Sequence, residues 1–315
     1  MPFCFQEVPV LSGTVLRASG GIYEVETPEG VYSAVLRGRL KREERLGDRV
    51  VVGDRVEIAP DPAGAAWTIE RVEERRSALV RRAPGKAPRP KVMVANVDRV
   101  VIVFAVAEPT PHLRMLDRFL VLAESSDLEA VIVANKVDLT GKEAARRLFA
   151  VYEEIGYRVL YTSVRTGEGI EDLREALCDG ISTLAGPSGV GKSSLLNAVQ
   201  PGLGRRVAAI SEHVGKGRHT TVTAELVHLS CGGYVADTPG LRELGLWAID
   251  PEELDLLFPE FRSYLGSCRY GNSCTHSHEP GCAVREAVEA GQLPASRFDS
   301  YLRLLAGDDE EVERG

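Results

Sequence analysis

Long apolar runs are missing from this chain, and their absence excludes a membrane-spanning helix. The longest, such as Val100 to Ala107 and Ala130 to Ala134, fall far short of the ~20 residues that a bilayer span needs. The start MPFCFQEVPV lacks the basic lead and apolar core of a secretory signal, so a cytoplasmic protein with no membrane partner is expected. Cysteine is scarce too. Six cysteines in 315 residues argue against a disulfide framework in a chain of this kind. Three of them crowd between Cys268 and Cys282, a clustering that suggests a metal, while Cys4, Cys178 and Cys231 are scattered and read as small packing residues. Positive charge is not in excess either: a formal net charge of -8 excludes a polycation. Local basic stretches can still meet RNA. One comprises Arg37, Arg39, Lys41, Arg42 and Arg45, another Arg75, Arg76, Arg81, Arg82, Lys86, Arg89 and Lys91, and the tail from Asp308 to Glu313 is acidic.

What remains is an ordinary globular composition, 44% hydrophobic and 27% charged, long enough for two or three domains. Residues 1–81 carry five short β-rich runs, Thr14 to Leu16, Tyr23 to Glu26, Val31 to Leu36, Val50 to Ile58 and Trp67 to Val72, broken by Gly, Pro and Asp turns. They predict a small barrel, of the OB kind or SH3-like. A Pro- and Lys/Arg-rich linker follows over 82–91. From 92 to 245 strands and helices alternate, the mark of an α/β domain with a parallel sheet: strand Val97 to Val106, helix His112 to Ser125, strand Ala130 to Ala134, helix Gly141 to Ile155, strand Tyr157 to Tyr161, helix Gly169 to Cys178, strand Ile181 to Ala185, helix Lys192 to Val199, and a hairpin of Ala224 to Ser230 with Gly233 to Ala236. Residues 246–315 form a third, mainly helical domain, with stretches around Pro251 to Leu257 and Ala283 to Ala290 on either side of the Cys/His cluster. It is too small for a large core, so a bound metal would help to fix it.

Gly186-Pro187-Ser188-Gly189-Val190-Gly191-Lys192-Ser193-Ser194 follows a predicted strand and opens a helix, the setting in which a glycine-rich loop cradles phosphates. Backbone N–H groups turn inward, and the positive end of the helix dipole adds to them. Lys192 is expected to reach the β- and γ-phosphates and Ser193 to offer an oxygen to Mg²⁺. Asn135-Lys136-Val137-Asp138 closes another buried strand. The Asp138 carboxylate can accept from N1–H and the 2-amino group of guanine, whereas adenine would leave it unpaired at a cost of a few kcal/mol, about two powers of ten in affinity. Asn135 is expected to tie this loop to the phosphate loop, and the Lys136 stem to lie along the base. Thr162 and Ser163 end the next strand, where backbone N–H groups can close over guanine O6. Asp237-Thr238-Pro239-Gly240 supplies Asp237 for Mg²⁺ through water and the Gly240 N–H for the γ-phosphate. In Lys216-Gly217-Arg218-His219-Thr220-Thr221, Thr220 or Thr221 can join Mg²⁺ when the triphosphate is present. Leu241 stands where Ras-like proteins place a water-orienting glutamine. His219 is the candidate catalytic residue in its stead, with RNA contact as its other reading.

The guanine element thus precedes the phosphate loop, reversing the usual order. A site depends on where loops lie in space and survives if old chain ends are joined and new ones opened. The order NKVD, TS, GPSGVGKSS, GKGRHTT, DTPGLRELGL, with a barrel before and a Cys/His knuckle after, resembles the ribosome small-subunit-dependent GTPase family of bacteria over nearly the whole chain. That resemblance implies a circularly permuted GTPase using GTP/GDP, Mg²⁺ and one Zn²⁺. It further implies a late 30S maturation factor whose hydrolysis the subunit stimulates, with barrel and zinc domain gripping 16S rRNA. It also implies the zinc ligands Cys268, Cys274, His276 and Cys282, a closed tetrahedral set, although five residues separate the first two cysteines where the family usually has four. His278 rivals His276. A monomer that binds no DNA is expected. The competing reading is a nucleotide-gated RNA-binding sensor in which hydrolysis is incidental; an ATPase or kinase is disfavoured by Asp138.

Overall fold

A computed structural model describes residues 9–38, 40, 50–61, 66–81, 91–204, 207, 224–237 and 251–307. Contacts divide the chain into two compact units, the first made of 1–98, 175–183 and 200–241, the second of 99–174, 184–199 and 242–315. Residues 92–245 are therefore shared between the two.

In the first unit, strands β1 (Leu11–Ser19), β2 (Ile22–Thr27), β3 (Gly30–Leu36), β4 (Arg55–Pro60) and β5 (Trp67–Val72) form the barrel. Their alternating burial puts Val15, Tyr23, Val25, Ala34, Leu36, Val56, Ile58 and Ile69 into one core, as a period of two requires of strands that face a core on one side. The first three pair antiparallel in sequence, β3 then runs parallel beside β5, β5 pairs with β4, and β4 returns to β1. That closure, with β3 beside β5, is the OB arrangement and removes the SH3-like alternative. The fourth strand begins at Arg55 and not at Val50, because Gly53 has φ +88° and turns the chain. Val51 N donates to Asp54 Oδ2 at 2.8 Å within the same turn.

Beyond the barrel, β6 (Ala78–Arg81) and β7 (Lys91–Ala95) pair antiparallel, so Lys91 opens a strand, while the expected linker residues 82–90 lie outside the described residues. The hairpin of β12 (Glu225–His228) and β13 (Tyr234–Asp237) pairs with β1 through Arg17 and Glu225. The start of β11 (Ile181–Ala185) runs parallel to β13. Tyr234 N donates to Gly180 O at 2.8 Å. This pairing brings the hairpin turn beside the end of the preceding helix, and there Cys178 and Cys231 form a disulfide with Cα atoms 5.4 Å apart. The expectation of two packing thiols is thereby corrected. Partners 53 residues apart meet only once the hairpin has folded, which the local sequence does not announce.

The second unit holds three parallel strands in the order β10 (Arg158–Thr162), β9 (Glu129–Asn135), β8 (Arg99–Ala105). Runs such as Val-Val-Ile-Val-Phe-Ala in β8 are buried along their length, as expected of strands covered on both faces. Helices α1 (Leu113–Glu124), α2 (Lys142–Ile155), α3 (Ile170–Leu177) and α4 (Lys192–Val199) punctuate them; α3 crosses into the first unit at its end. His112 is the N-cap of α1, its Nδ1 accepting from Met115 N at 3.3 Å. In 251–307 the stretch expected as helix around Pro251 is turns and a 3₁₀ segment, Leu254–Leu257. Helix α5 spans Ala283–Glu289 and α6 Ala295–Ala306. Among the described residues no helix is long and apolar enough to cross a membrane.

Candidate functional site

The C-terminal ends of β9 and β10 and the loop from β11 into α4 converge within the second unit. Asn135, at the end of β9, is 2% exposed. Its Nδ2 donates to Val190 O of the phosphate loop at 2.8 Å, and its Oδ1 accepts from Thr162 Oγ1 at 3.0 Å. One amide therefore links the end of β9, the end of β10 and the glycine-rich loop. Gly191 must be glycine for this to happen. It has φ +100°, and a Cβ there would lie 2.5 Å from Asn135 Nδ2. At Gly186, φ is +124° and a Cβ would strike Val103 O, so both ends of the loop lie against fixed atoms.

Val190 is buried, whereas Ser188, Gly189, Ser193 and Ser194 are exposed, leaving the hydroxyls of Ser193 and Ser194 accessible at the first turn of α4. Lys192 Nζ donates to Gly186 O and Pro187 O, both at 2.6 Å. The ammonium thus lies over the loop where phosphates are expected, held by backbone carbonyls.

Lys136 adopts the left-handed conformation with φ +64° and its Nζ bonds Glu108 O. The residues that follow, Val137–Leu139, form a 3₁₀ turn that presents Asp138. The Asp138 carboxylate accepts from Ser163 Oγ at 2.5 Å through Oδ1 and pairs with Arg165 Nε at 2.8 Å through Oδ2. The Ser163 hydrogen bond, aided by Arg165 and opposed by partial desolvation, holds this carboxyl below its ordinary value. It stays an acceptor, as guanine recognition needs. Ser163 was expected to act through its backbone, but that N–H donates to Glu168 O at 3.0 Å, and it is the hydroxyl that meets Asp138. Arg165 was not anticipated: an exposed arginine in a polar loop carries no pattern.

Asp237 ends β13 in the first unit. His219, Thr220, Thr221 and Gly240 lie outside the described residues.

A second cluster lies downstream. Ligand atoms of Cys268, Cys274, His276 and Cys282 all fall within 4.8 Å of one another, and all four residues are buried. His276 Nδ1 lies 3.5 Å from Cys268 Sγ and 3.3 Å from Cys282 Sγ, and the two sulfurs are 3.9 Å apart. Donors bonded at ~2.1–2.3 Å to a tetrahedral centre stand at about these separations from each other, so the donor set fits one such ion. The other ring nitrogen, Nε2, faces Asp255 Oδ2 at 3.3 Å, the kind of carboxylate partner that orients a ligating imidazole. His278 is exposed and turned to Ser277 Oγ; the structure gathers His276 instead. Asp255, 21 residues upstream, had no local signal.

With this geometry in view, comparison with known proteins identifies the lineage. The RsgA GTPase family model matches residues 72–247 and the RsgA N-terminal domain model residues 12–68. The chain belongs to the RsgA GTPase family. It is a GTP-hydrolysing enzyme of circularly permuted order. A small ribosomal subunit biogenesis GTPase RsgA of Gemmatimonas aurantiaca is 52% identical, over 93% of this chain and 96% of that protein. Its counterpart in Moorella thermoacetica is 49% identical over 94% and 97%. Among solved structures, YjeQ from Thermotoga maritima is similar with a TM-score of 0.78 and 39% identity, covering 95% of this chain and 98% of that one. YloQ, a circularly permuted GTPase, gives 0.74 and 30%, covering 98% and 97%.

Proposed function

We propose that this GTPase acts in biogenesis of the small ribosomal subunit, binding the 30S particle through 16S rRNA and leaving it on hydrolysis. The observation that carries the nucleotide part is the Asn135 Nδ2 to Val190 O bond, which joins base reader and phosphate cradle although 55 residues separate them. Asp138 would read guanine, with Asn135, Lys136, Thr162 and Ser163 around it. Gly186, Ser188, Gly189, Val190, Gly191, Lys192, Ser193 and Ser194 would hold the phosphates. The Lys192 ammonium would exchange its carbonyl partners for phosphate oxygens. Mg²⁺, held by Ser193, Asp237 and Thr220 or Thr221, would neutralise phosphate charge; Gly240 would sense the γ-phosphate and His219 would orient the attacking water. The cysteine cluster would hold Zn²⁺ as a structural ion, since four protein donors leave no open position.

The particle assignment draws on the names of the relatives and on the OB barrel, a fold used to bind RNA. Its described cations are largely engaged. Arg75 grips buried Asp54 at 2.7 Å and 2.9 Å, Arg76 meets Asp98 at 3.2 Å, and Arg37 bonds Glu70. Arg37 and Arg76 remain more than half exposed within these pairs, and exposed pairs are weak, so RNA contact is assigned to both basic stretches, Arg37 to Arg45 and Arg75 to Lys91. We keep residues 1–81, 82–91, 92–245 and 246–315 as proposed functional modules. The test is GTP turnover with and without purified 30S subunits, where strong stimulation is expected. Absence of any stimulation would remove the subunit role and leave the nucleotide-gated RNA sensor.

A further inference from the structure

We propose that Arg165 is a positioning residue of the guanine pocket, pairing with one oxygen of the Asp138 carboxylate and competing with the base for it. The inference rests on the reading of Asp138 as the guanine acceptor and deepens it. Guanine offers two donors, N1–H and the 2-amino group, and a carboxylate meets them best with one oxygen each. Oδ1 already accepts from Ser163, whose hydroxyl is buried and itself accepts from Thr166 N at 3.3 Å. That contact is built in, and Oδ1 keeps a second lone pair for the base. Oδ2 is occupied by Arg165 Nε at 2.8 Å.

The two partners of this ion pair differ in exposure. The Asp138 side chain is 9% accessible and that of Arg165 72%. An ionised carboxylate so far withdrawn from water needs a partner. A guanidinium on a solvated stem supplies one and can withdraw without disturbing the backbone. The loop carrying it is independently fixed, with Gly167 N donating to Ser163 O at 2.9 Å and Ser163 N to Glu168 O at 3.0 Å. Guanine binding is then an exchange of partners at Oδ2, and the displaced ion pair lowers affinity. Pairs with one exposed member are weak, so the effect is up to about five-fold. It should also be screened by salt, as a steric plug or a loop brace would not be.

The experiment measures GDP and ADP binding to the full-length protein by calorimetry, at low salt and at about 1 M salt. Arg165→Ala should tighten GDP binding about two- to five-fold at low salt, with the ratio to wild type falling towards one at high salt. Arg165→Lys, which keeps the charge, should stay within about two-fold of wild type. An Arg165→Ala variant that binds GDP equally or more weakly at low salt, or whose gain persists at high salt, overturns the inference. If wild type fails to prefer GDP over ADP, the guanine reading itself falls; if it prefers GDP and Arg165→Ala gives no gain, only the role of Arg165 does.

Discussion

At Asp138, the proposed guanine acceptor, the Ser163 hydroxyl is the main influence holding the carboxyl ionised to lower pH. Ser163 donates to it at 2.5 Å and lowers its pKa. A carboxyl depressed in the folded state contributes stability that is full above its unfolded value, ~3.9 for Asp, and is lost as pH falls through the folded value. The proposed acceptor for guanine would persist over the same window and then disappear by protonation. Ser163→Ala raises the folded pKa, so preference for GDP over ADP should fail at higher pH than in wild type. Affinity ratios measured from neutral pH downwards check this; coincident profiles would remove Ser163 from the role. The motifs on either side stood out in the sequence because phosphate and guanine chemistry demand particular side chains at fixed spacing. The hydroxyl contact and Arg165 were not, since their meaning arises only when β9 and β10 lie side by side.

Elements were read best where burial is continuous. Strands β8 and β9 and helix α4 follow directly from apolar runs and loop signals, with boundaries shifted by a residue or two. Helix α6 was missed. Its sequence ASRFDSYLRLLA sends Arg297 and Ser300 into the interior, so polar letters stand where the 3.6-residue period would place apolar ones. The knuckle was visible as a cluster of ligand types, while its orienting acid lay in a 3₁₀ turn far upstream. Asp255→Ala should leave the fold intact and weaken metal retention about 10- to 100-fold. Elemental analysis is expected to find about one zinc per wild-type chain, with competition against a chelator ranking the two proteins. Equal retention would mean that Asp255 does not orient His276.

On the scale of the second unit, a buried cation joins α6 to α1 and to the turn before the knuckle. Arg297 is 0% exposed; it bonds Asp117 Oδ1 and Glu260 Oε1, each at 2.7 Å, and its guanidinium lies 4.6 Å from the Phe258 ring centre. Burial works against its charge, yet Asp117 and Glu260 outweigh burial and raise its pKa. Asp117 is further held by Tyr152 at 2.9 Å and Ser300 at 2.5 Å. Removing one member strands the others, so Arg297→Ala should cost about 3–5 kcal/mol. Denaturant unfolding gives the measure, and a loss under about 1 kcal/mol would show that water or rearrangement satisfies the acids. Packing and ion pairing at this depth join residues 180 positions apart, which no local pattern could have disclosed.

The bond between Cys178 and Cys231 also has a topological consequence. It turns residues 178–231 into a covalent ring, and the whole proposed phosphate cradle from Gly186 to Ser194 lies on that ring, as do Thr220 and Thr221. A break in the backbone anywhere inside the ring opens it into a branched chain without releasing either piece, so the barrel strands and the C-terminal knuckle stay on one molecule even when the polypeptide between them has been severed.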